Sequence, residues 1–260
     1  MNKIETALHH LNIPDNSNVM LHGNSSIALS IHKVSKNEKM QGMVNTIINF
    51  FENSNTLVVP TFTYSFPNKE IYNSLTSISK NGLFSEYFRI NPKMQRTRHP
   101  IFSCVTYGPN AELFLNSFIG DCFGEDTVFD LLFKSKGFIV LLGCSFNEVT
   151  FTHYIEQKVQ VNYRYSKEFS GYIADDSENL VYTNYYVRDL DSQIDTKLDL
   201  SRFWLEAKNL EILTYCYLDR LPCISIRSDL FFDLASRMLR ENPFALIREG
   251  YKNVKKVDVF

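Results

Sequence analysis

The apolar positions along the chain fall into helical stripes separated by short, continuous apolar runs. Ile4, Leu8 and Leu11 recur at helical spacing up to Pro14, and Val19-Met20-Leu21 then predicts a strand that ends at His22-Gly23. Ser35 and Glu38 have capping-box spacing, and Met40, Met43, Val44, Ile47 and Phe51 follow as the stripe of an amphipathic helix. Leu57-Val58-Val59-Pro60 reads as a buried strand, which makes the opening a β-loop-α-β unit. The alternation continues with a strand-like stretch from Ile101 to Tyr107, helix-like stretches over 110–118 and 127–134, and a third apolar strand from Phe138 to Leu142. Tyr163 to Ile173 and Leu180 to Val187 are rich in aromatic and β-branched residues and flank the turn-forming stretch 174–179, so they predict an antiparallel hairpin. Asp199-Leu200-Ser201 opens a helix to about Leu213, Cys223 to Ile226 reads as a short strand, and Ser228 caps a last helix to about Arg240. The expected fold is α/β: a mixed α/β/α core over residues 1–160 with strands alternating with helices, then a second, antiparallel β-rich portion over 161–260 with C-terminal helices.

Composition narrows the class. With 260 residues and 44% hydrophobic content the chain can bury a full core. A formal net charge of -2 argues against a nucleic-acid partner or an anionic membrane surface, both of which call for a basic face. Five scattered cysteines read as free thiols in a reducing compartment. The longest apolar run falls far short of the roughly 20 residues that span a bilayer, and the N-terminus lacks a signal-peptide apolar core. The expectation is a cytoplasmic protein without a membrane span.

One segment stands out chemically. After the strand ending at Leu142-Gly143, a polar loop leads into Thr150-Phe151-Thr152-His153-Tyr154-Ile155-Glu156, which puts an imidazole and a carboxylate at i and i+3 on one helix face near a strand's carboxyl end. Such a pair suits proton abstraction, the carboxylate orienting the ring while its other nitrogen faces a substrate; it also suits an ordinary surface pair. His22 ends a strand, and His99 lies in Arg96-Thr97-Arg98-His99-Pro100, where Pro100 keeps the backbone extended. A zinc site of His22, His99 and His153 lacks short ligand spacing, and no metal is expected. Gly23-Asn24-Ser25-Ser26 forms a small polar turn whose amides could approach a phosphate or an amide, or simply face solvent.

Taken in order, His22-Gly23-Asn24-Ser25, Val58-Val59-Pro60-Thr61-Phe62-Thr63, Gly82-Leu83-Phe84-Ser85-Glu86-Tyr87-Phe88-Arg89, Arg96-Thr97-Arg98-His99-Pro100-Ile101-Phe102-Ser103, Leu141-Leu142-Gly143 and Thr152-His153-Tyr154-Ile155-Glu156 resemble the aminoglycoside 3-N-acetyltransferase family. The resemblance covers roughly residues 1 to 170. It implies acetyl-CoA or another short acyl-CoA as co-substrate, held in a cleft between the core and the antiparallel portion. It further implies that His22, Gly23, Asn24 and Ser25 lie near the pantetheine arm, with Ser79 and Gly82 in a second polar loop close by. His153 matches the family's catalytic histidine and Glu156 the carboxylate beside it.

The family also includes N-acyltransferases of nucleotide-linked amino sugars, and the sequence leaves the acceptor open. A pyrophosphate wants arginine or amide donors and a base wants an aromatic stack; Arg96, Arg98, His99 and Arg164 with Tyr163, Tyr165, Phe169 and Tyr172 could serve, although strand core explains the aromatics too. On this ground the sequence favours a sugar nucleotide for surface polysaccharide synthesis. Acetylation of aminoglycoside antibiotics is the alternative, and a non-catalytic binding or scaffold protein is the second. The Tyr-rich hairpin fits a homodimer.

Overall fold

The fold is taken from a computed structural model, which describes residues 2–251 apart from 34, 53 and 192. In chain order the elements are α1 (Lys3–His10), β1 (Asn18–Gly23), α2 (Lys36–Phe51), β2 (Thr56–Pro60), α3 (Leu83–Arg89), β3 (Gln95–Arg96), β4 (Cys104–Tyr107), α4 (Ala111–Leu115), α5 (Val128–Lys134), β5 (Phe138–Leu142), α6 (Phe151–Lys158), β6 (Arg164–Ile173), β7 (Asp176–Arg188), α7 (Ser201–Asn209), β8 (Leu213–Leu218), β9 (Leu221–Arg227) and α8 (Ser228–Glu241). Seven strands form one mixed sheet in the order β3-β4-β2-β1-β5-β9-β8, and β6 and β7 form a separate hairpin. The central three, β2, β1 and β5, run parallel; the flanking pairs are antiparallel.

Alternation along the strands sorts the core into two layers, as period-2 side chains require. Val19, Leu21, Leu57, Val59, Val140 and Leu142 pack under α1, α2 and α3. Met20, Val58, Ile139, Leu141, Ile224 and Ile226 pack under α5, α6, α7 and α8. The α/β/α core is therefore a real three-layer arrangement. Because β9 pairs with β5 and β8 pairs with β9, the main sheet runs across the position-160 boundary. All five cysteines are free, and among the described residues no helix is long and apolar enough to cross a membrane.

Several local expectations shift. The strand expected from Ile101 starts only at Cys104, because the Ile101 and Phe102 N–H groups donate to the His99 ring at 3.1 and 3.0 Å and turn the backbone away from the ladder. The helix expected to reach Leu213 stops at Asn209; Glu211 takes a left-handed φ of 54° and the chain reverses into β8. The six-residue turn at 174–179 is far tighter, since β7 already begins at Asp176. Ser228 does not cap α8: its hydroxyl donates to Leu132 O at 3.0 Å and ties the helix to the end of α5.

Candidate functional site

Chain order places a topological switch between β1 and β5. β1 leads through α2, on one face, to β2 on its left; β5 lies on its right and leads into α6 on the other face. The loops that leave β1 and β5 therefore part from each other, and open α/β sheets bind ligands in the crevice so formed at the strands' carboxyl ends. Gly143, with φ of 71°, lets the chain leave β5 in a left-handed turn, and a Cβ there would touch Ile27 at 3.2 Å and Asn24 at 3.6 Å. The two loops are thus in contact.

α6 carries the reactive pair. His153 and Glu156, one turn apart, meet with Nδ1 2.7 Å from Oε2. The other carboxylate oxygen, Oε1, accepts from the Tyr163 hydroxyl at 2.8 Å. Arg164, the first residue of β6, brings Nε to 2.7 Å from Glu156 Oε2 and donates from Nη1 to Tyr186 O at 3.1 Å. The Nε contact is an ion pair without a directed hydrogen bond. The Glu156 side chain is wholly enclosed and that of Arg164 almost so. Burial alone would push the carboxyl up, but the Arg164 charge, the His153 ring and the two hydrogen bonds hold it below the ordinary carboxylate range. It is an anion at neutral pH.

Two groups compete for Nδ1 of His153. Arg164 Nη2 lies 3.0 Å away and could donate only to a lone pair there, whereas the Glu156 oxygen at 2.7 Å needs a proton. A lone pair facing a carboxylate at that distance is repulsive, so the proton sits on Nδ1 and points at Glu156. Nε2 then carries the free lone pair, and no hydrogen bond engages it among the described residues. Burial and the nearby Arg164 charge outweigh Glu156 and hold the ring's pKa below its ordinary value, so the imidazole is neutral around pH 7. The His153 side chain keeps 18% of its surface open, and its ring packs edge-on against Phe123, with centroids 5.9 Å apart.

The other residues singled out from the sequence divide sharply. His22, the penultimate residue of β1, lies opposite Leu141 and points to the α6 face; it is buried, its pKa is lowered to about 4 by burial, and Nε2 has no partner among the described residues. Gly23 has no room for a side chain, since a Cβ would come within 2.4 Å of the Phe84 ring, and this packing brings the loop after β1 against α3 and its leading Gly82. Asn24 accepts from Ser26 N–H at 2.9 Å and shapes the short 3-10 turn that holds Ser25. Ser79 donates its N–H to Glu86 at 2.9 Å and accepts from Asn81 at 3.2 Å, and Gly82 supplies the left-handed φ of 86° at the start of α3.

The remaining basic and aromatic candidates are engaged elsewhere. Arg96 donates to Thr61 Oγ1 at 3.1 Å and to the carbonyls of Thr61 and Ser77, both at 2.5 Å, beneath the Tyr72 ring, so it fastens loops together. Arg98 pairs with Asp175 at 3.1 Å in the hairpin turn. His99 is buried, accepts two backbone N–H groups at Nδ1 and donates from Nε2 to Asp121 O at 3.1 Å; both nitrogens are in use, which removes it from any metal or substrate role. Tyr163 holds Glu156 instead of stacking on a base, and Tyr165 and Tyr172 are exposed. Among the described residues no three His, Cys, Asp or Glu side chains gather as a metal site.

The model of a family described as aminoglycoside 3-N-acetyltransferase matches residues 25–240. No curated protein matches the chain. Among solved structures, the apoenzyme of the aminoglycoside acetyltransferase AAC(3)-IVa superposes with a TM-score of 0.73 at 19% identity, covering 94% of this chain and 90% of that one. AAC-IIIb in a binary complex with CoASH gives 0.75 at 15%, covering 93% and 97%. The YokD protein from Bacillus subtilis gives 0.72 at 17%, covering 92% and 98%.

Proposed function

The chain belongs to the aminoglycoside 3-N-acetyltransferase family and is a coenzyme-A-dependent N-acyltransferase; from that premise we propose that it acylates an amine of an aminoglycoside, with His153 as the base. The observation that carries the reading is the neutral imidazole whose Nδ1 is held by a buried carboxylate and whose Nε2 has no protein partner among the described residues. Acyl-CoA supplies the activated acyl carbonyl. Nε2 of His153 takes the proton that the attacking amine must shed, and Glu156 stabilises the charge that the ring then bears. Arg164 and Tyr163 act through Glu156: they keep it ionised and fix its orientation, as positioning residues.

The residues after β1 fit the coenzyme. A groove of about 380 Å³ beside that loop is lined by Ser25, Ser26, Ala28 and Leu29 together with Lys36, Lys39 and Met40 of α2. Its apolar wall suits a pantetheine chain, and neither lysine is in an ion pair among the described residues, so both are open to phosphate. Ser25, Ser26, Lys36 and Lys39 are the residues that would hold it.

The acceptor is where the sequence expectation gives way. The family description names aminoglycosides, and neighbouring structures of AAC(3)-IVa and AAC-VIa are complexes with apramycin, a gentamicin and sisomicin. Of the three arginines set aside for a pyrophosphate, Arg96 has its donors committed to Thr61 and Ser77, and Arg164 is enclosed as the ion-pair partner of Glu156. The test is release of free thiol from acetyl-CoA with kanamycin A in parallel with a nucleotide-linked amino sugar. Thiol release with kanamycin A alone is the expected result; release only with the sugar nucleotide reverses the acceptor assignment. Neither release nor coenzyme A binding would leave a non-catalytic protein.

A further inference from the structure

Beside His153, three polar groups have no protein partner among the described residues. Arg188 ends β7 directly opposite Arg164 in the hairpin register, so the two side chains leave the same face of the ribbon, and Arg164 reaches 3.0 Å from the His153 ring. Arg188 is exposed, and its side chain makes no hydrogen bond or ion pair among the described residues. The other two groups are the hydroxyls of Tyr64 and Tyr185, neither of which is hydrogen-bonded among those residues. One aromatic cluster joins both tyrosine rings to the His153 ring: Tyr64 and Tyr185 pack on Phe102 at 5.6 and 5.1 Å, and Phe123 bridges Tyr185 at 6.1 Å to His153 at 5.9 Å.

Tyr64 is held in place at a cost. Its φ of 54° is left-handed, which a bulky residue takes only where its surroundings impose it, and such strain gathers at ligand-binding positions. Burial pushes both phenols up, so they stay protonated and can donate. The Arg188 charge is felt at both phenols and at His153, which places it within electrostatic reach of the reacting atoms. No nearby carboxylate forms an ion pair with it among the described residues. Glu156 is matched by Arg164, and Asp121 is taken by the Phe123 N–H at 2.7 Å and the Gln157 amide at 3.1 Å.

We infer that Arg188, with the Tyr64 and Tyr185 hydroxyls, forms an oxygen-binding patch beside His153 that reads the charge around the reacting amine. The patch offers donors and one positive charge that has no ion-pair partner among the described residues. It therefore takes an acceptor whose reacting amine is flanked by hydroxyl or other oxygen groups, and it repels a second ammonium in that place. The inference rests on the acyl-transfer reading and adds which acceptors the site admits.

Kanamycin A and kanamycin B provide the probe, because they differ only in a hydroxyl against an amine on one sugar ring. Like charges some 6 Å apart near a protein surface are worth about a tenfold discrimination or more. The expected result is that kcat/KM for thiol release from acetyl-CoA favours kanamycin A by about tenfold, that Arg188→Gln flattens the ratio, and that Arg188→Glu inverts it. A ratio that stays within twofold of the wild-type value in Arg188→Glu overturns the inference. Calorimetric Kd values for the two kanamycins with coenzyme A present give a second readout: if no acceptor releases thiol but the Kd ratio still follows residue 188, acyl transfer fails and the patch stands. If other amines release thiol while neither kanamycin binds, the patch fails and acyl transfer stands.

Discussion

Helix α6 has a buried carboxylate on either side, and the two are built to the same recipe. Glu156 is surrounded by the Tyr163 hydroxyl, Arg164 and His153; Asp130 of α5 is surrounded by the Tyr154 hydroxyl at 2.9 Å, Lys134 at 2.8 Å and Lys158 at 3.3 Å. In each, burial raises the pKa and the partners more than reverse it. The difference lies in the partners. The lysines at Asp130 lead outward, with 52% and 32% of their side chains exposed, whereas the Arg164 side chain is almost wholly enclosed and His153 is a base with an idle nitrogen. A buried, fully satisfied carboxylate is therefore no sign of function by itself. The sign is a titratable partner that stays neutral and keeps one atom unused.

The sharpest way to break this contrast is to remove the ring. His153→Ala should lower turnover on the order of 10³-fold, within the range general-base catalysis supplies, and leave the thermal midpoint nearly unchanged. Turnover within tenfold of wild type would erase the distinction between the two sites. Glu156→Gln comes next. It leaves the enclosed Arg164 uncompensated, so chemical denaturation should show a loss of about 3 to 5 kcal/mol. The acid limb of kcat/KM should move to lower pH, because Glu156 is what raises the His153 pKa against burial.

Two smaller effects sharpen the comparison. His22 and His99 are buried without any carboxylate, and both are held to about 4. Their folded pKa values lie below the unfolded value of about 6.5, so the unfolded chain binds more protons in that window and stability falls as pH drops from 6.5 towards 4. Each contributes about 3 kcal/mol at most, and replacing His99 with a residue that cannot titrate should remove one such step from the pH profile of the unfolding free energy. Asp130→Asn should cost only about 1 kcal/mol, since Lys134 and Lys158 can turn to water, and should leave turnover intact.

Much of this was readable along the chain, for a physical reason. The Ser35–Glu38 capping box forms with both hydrogen bonds present, and the apolar runs at β1, β2 and β5 are the buried parallel strands, because local chemistry decides both. The His153–Glu156 spacing is likewise local and survives intact. The parts that misled depend on distant partners. Arg96 reads as a free cation until Thr61 and Ser77 arrive to consume its donors, and His99 reads as a loop ligand until the Ile101, Phe102 and Asp121 backbones close around it. Strand β8 was masked by Leu210, Ile212 and Leu213, which continue the helical spacing of α7, while the left-handed Glu211 that breaks it leaves no compositional mark. Helix α3 begins at a glycine with no side-chain cap, so it carries no start signal. No local pattern links Tyr64 to Arg188.

The parallel trio at the centre of the sheet has a consequence for how the polypeptide emerges from the ribosome. β1 finds β2 early, but its other edge waits for β5, more than a hundred positions further on, and β5 in turn waits for β9. A nascent chain that has passed β2 exposes an apolar, unpaired strand edge of the kind that invites aggregation. The guanidinium that steadies Glu156 arrives after β5 as well. Synthesis thus completes the sheet and its reactive pair in the same late stretch, and a truncated product is expected to be both sticky and inert.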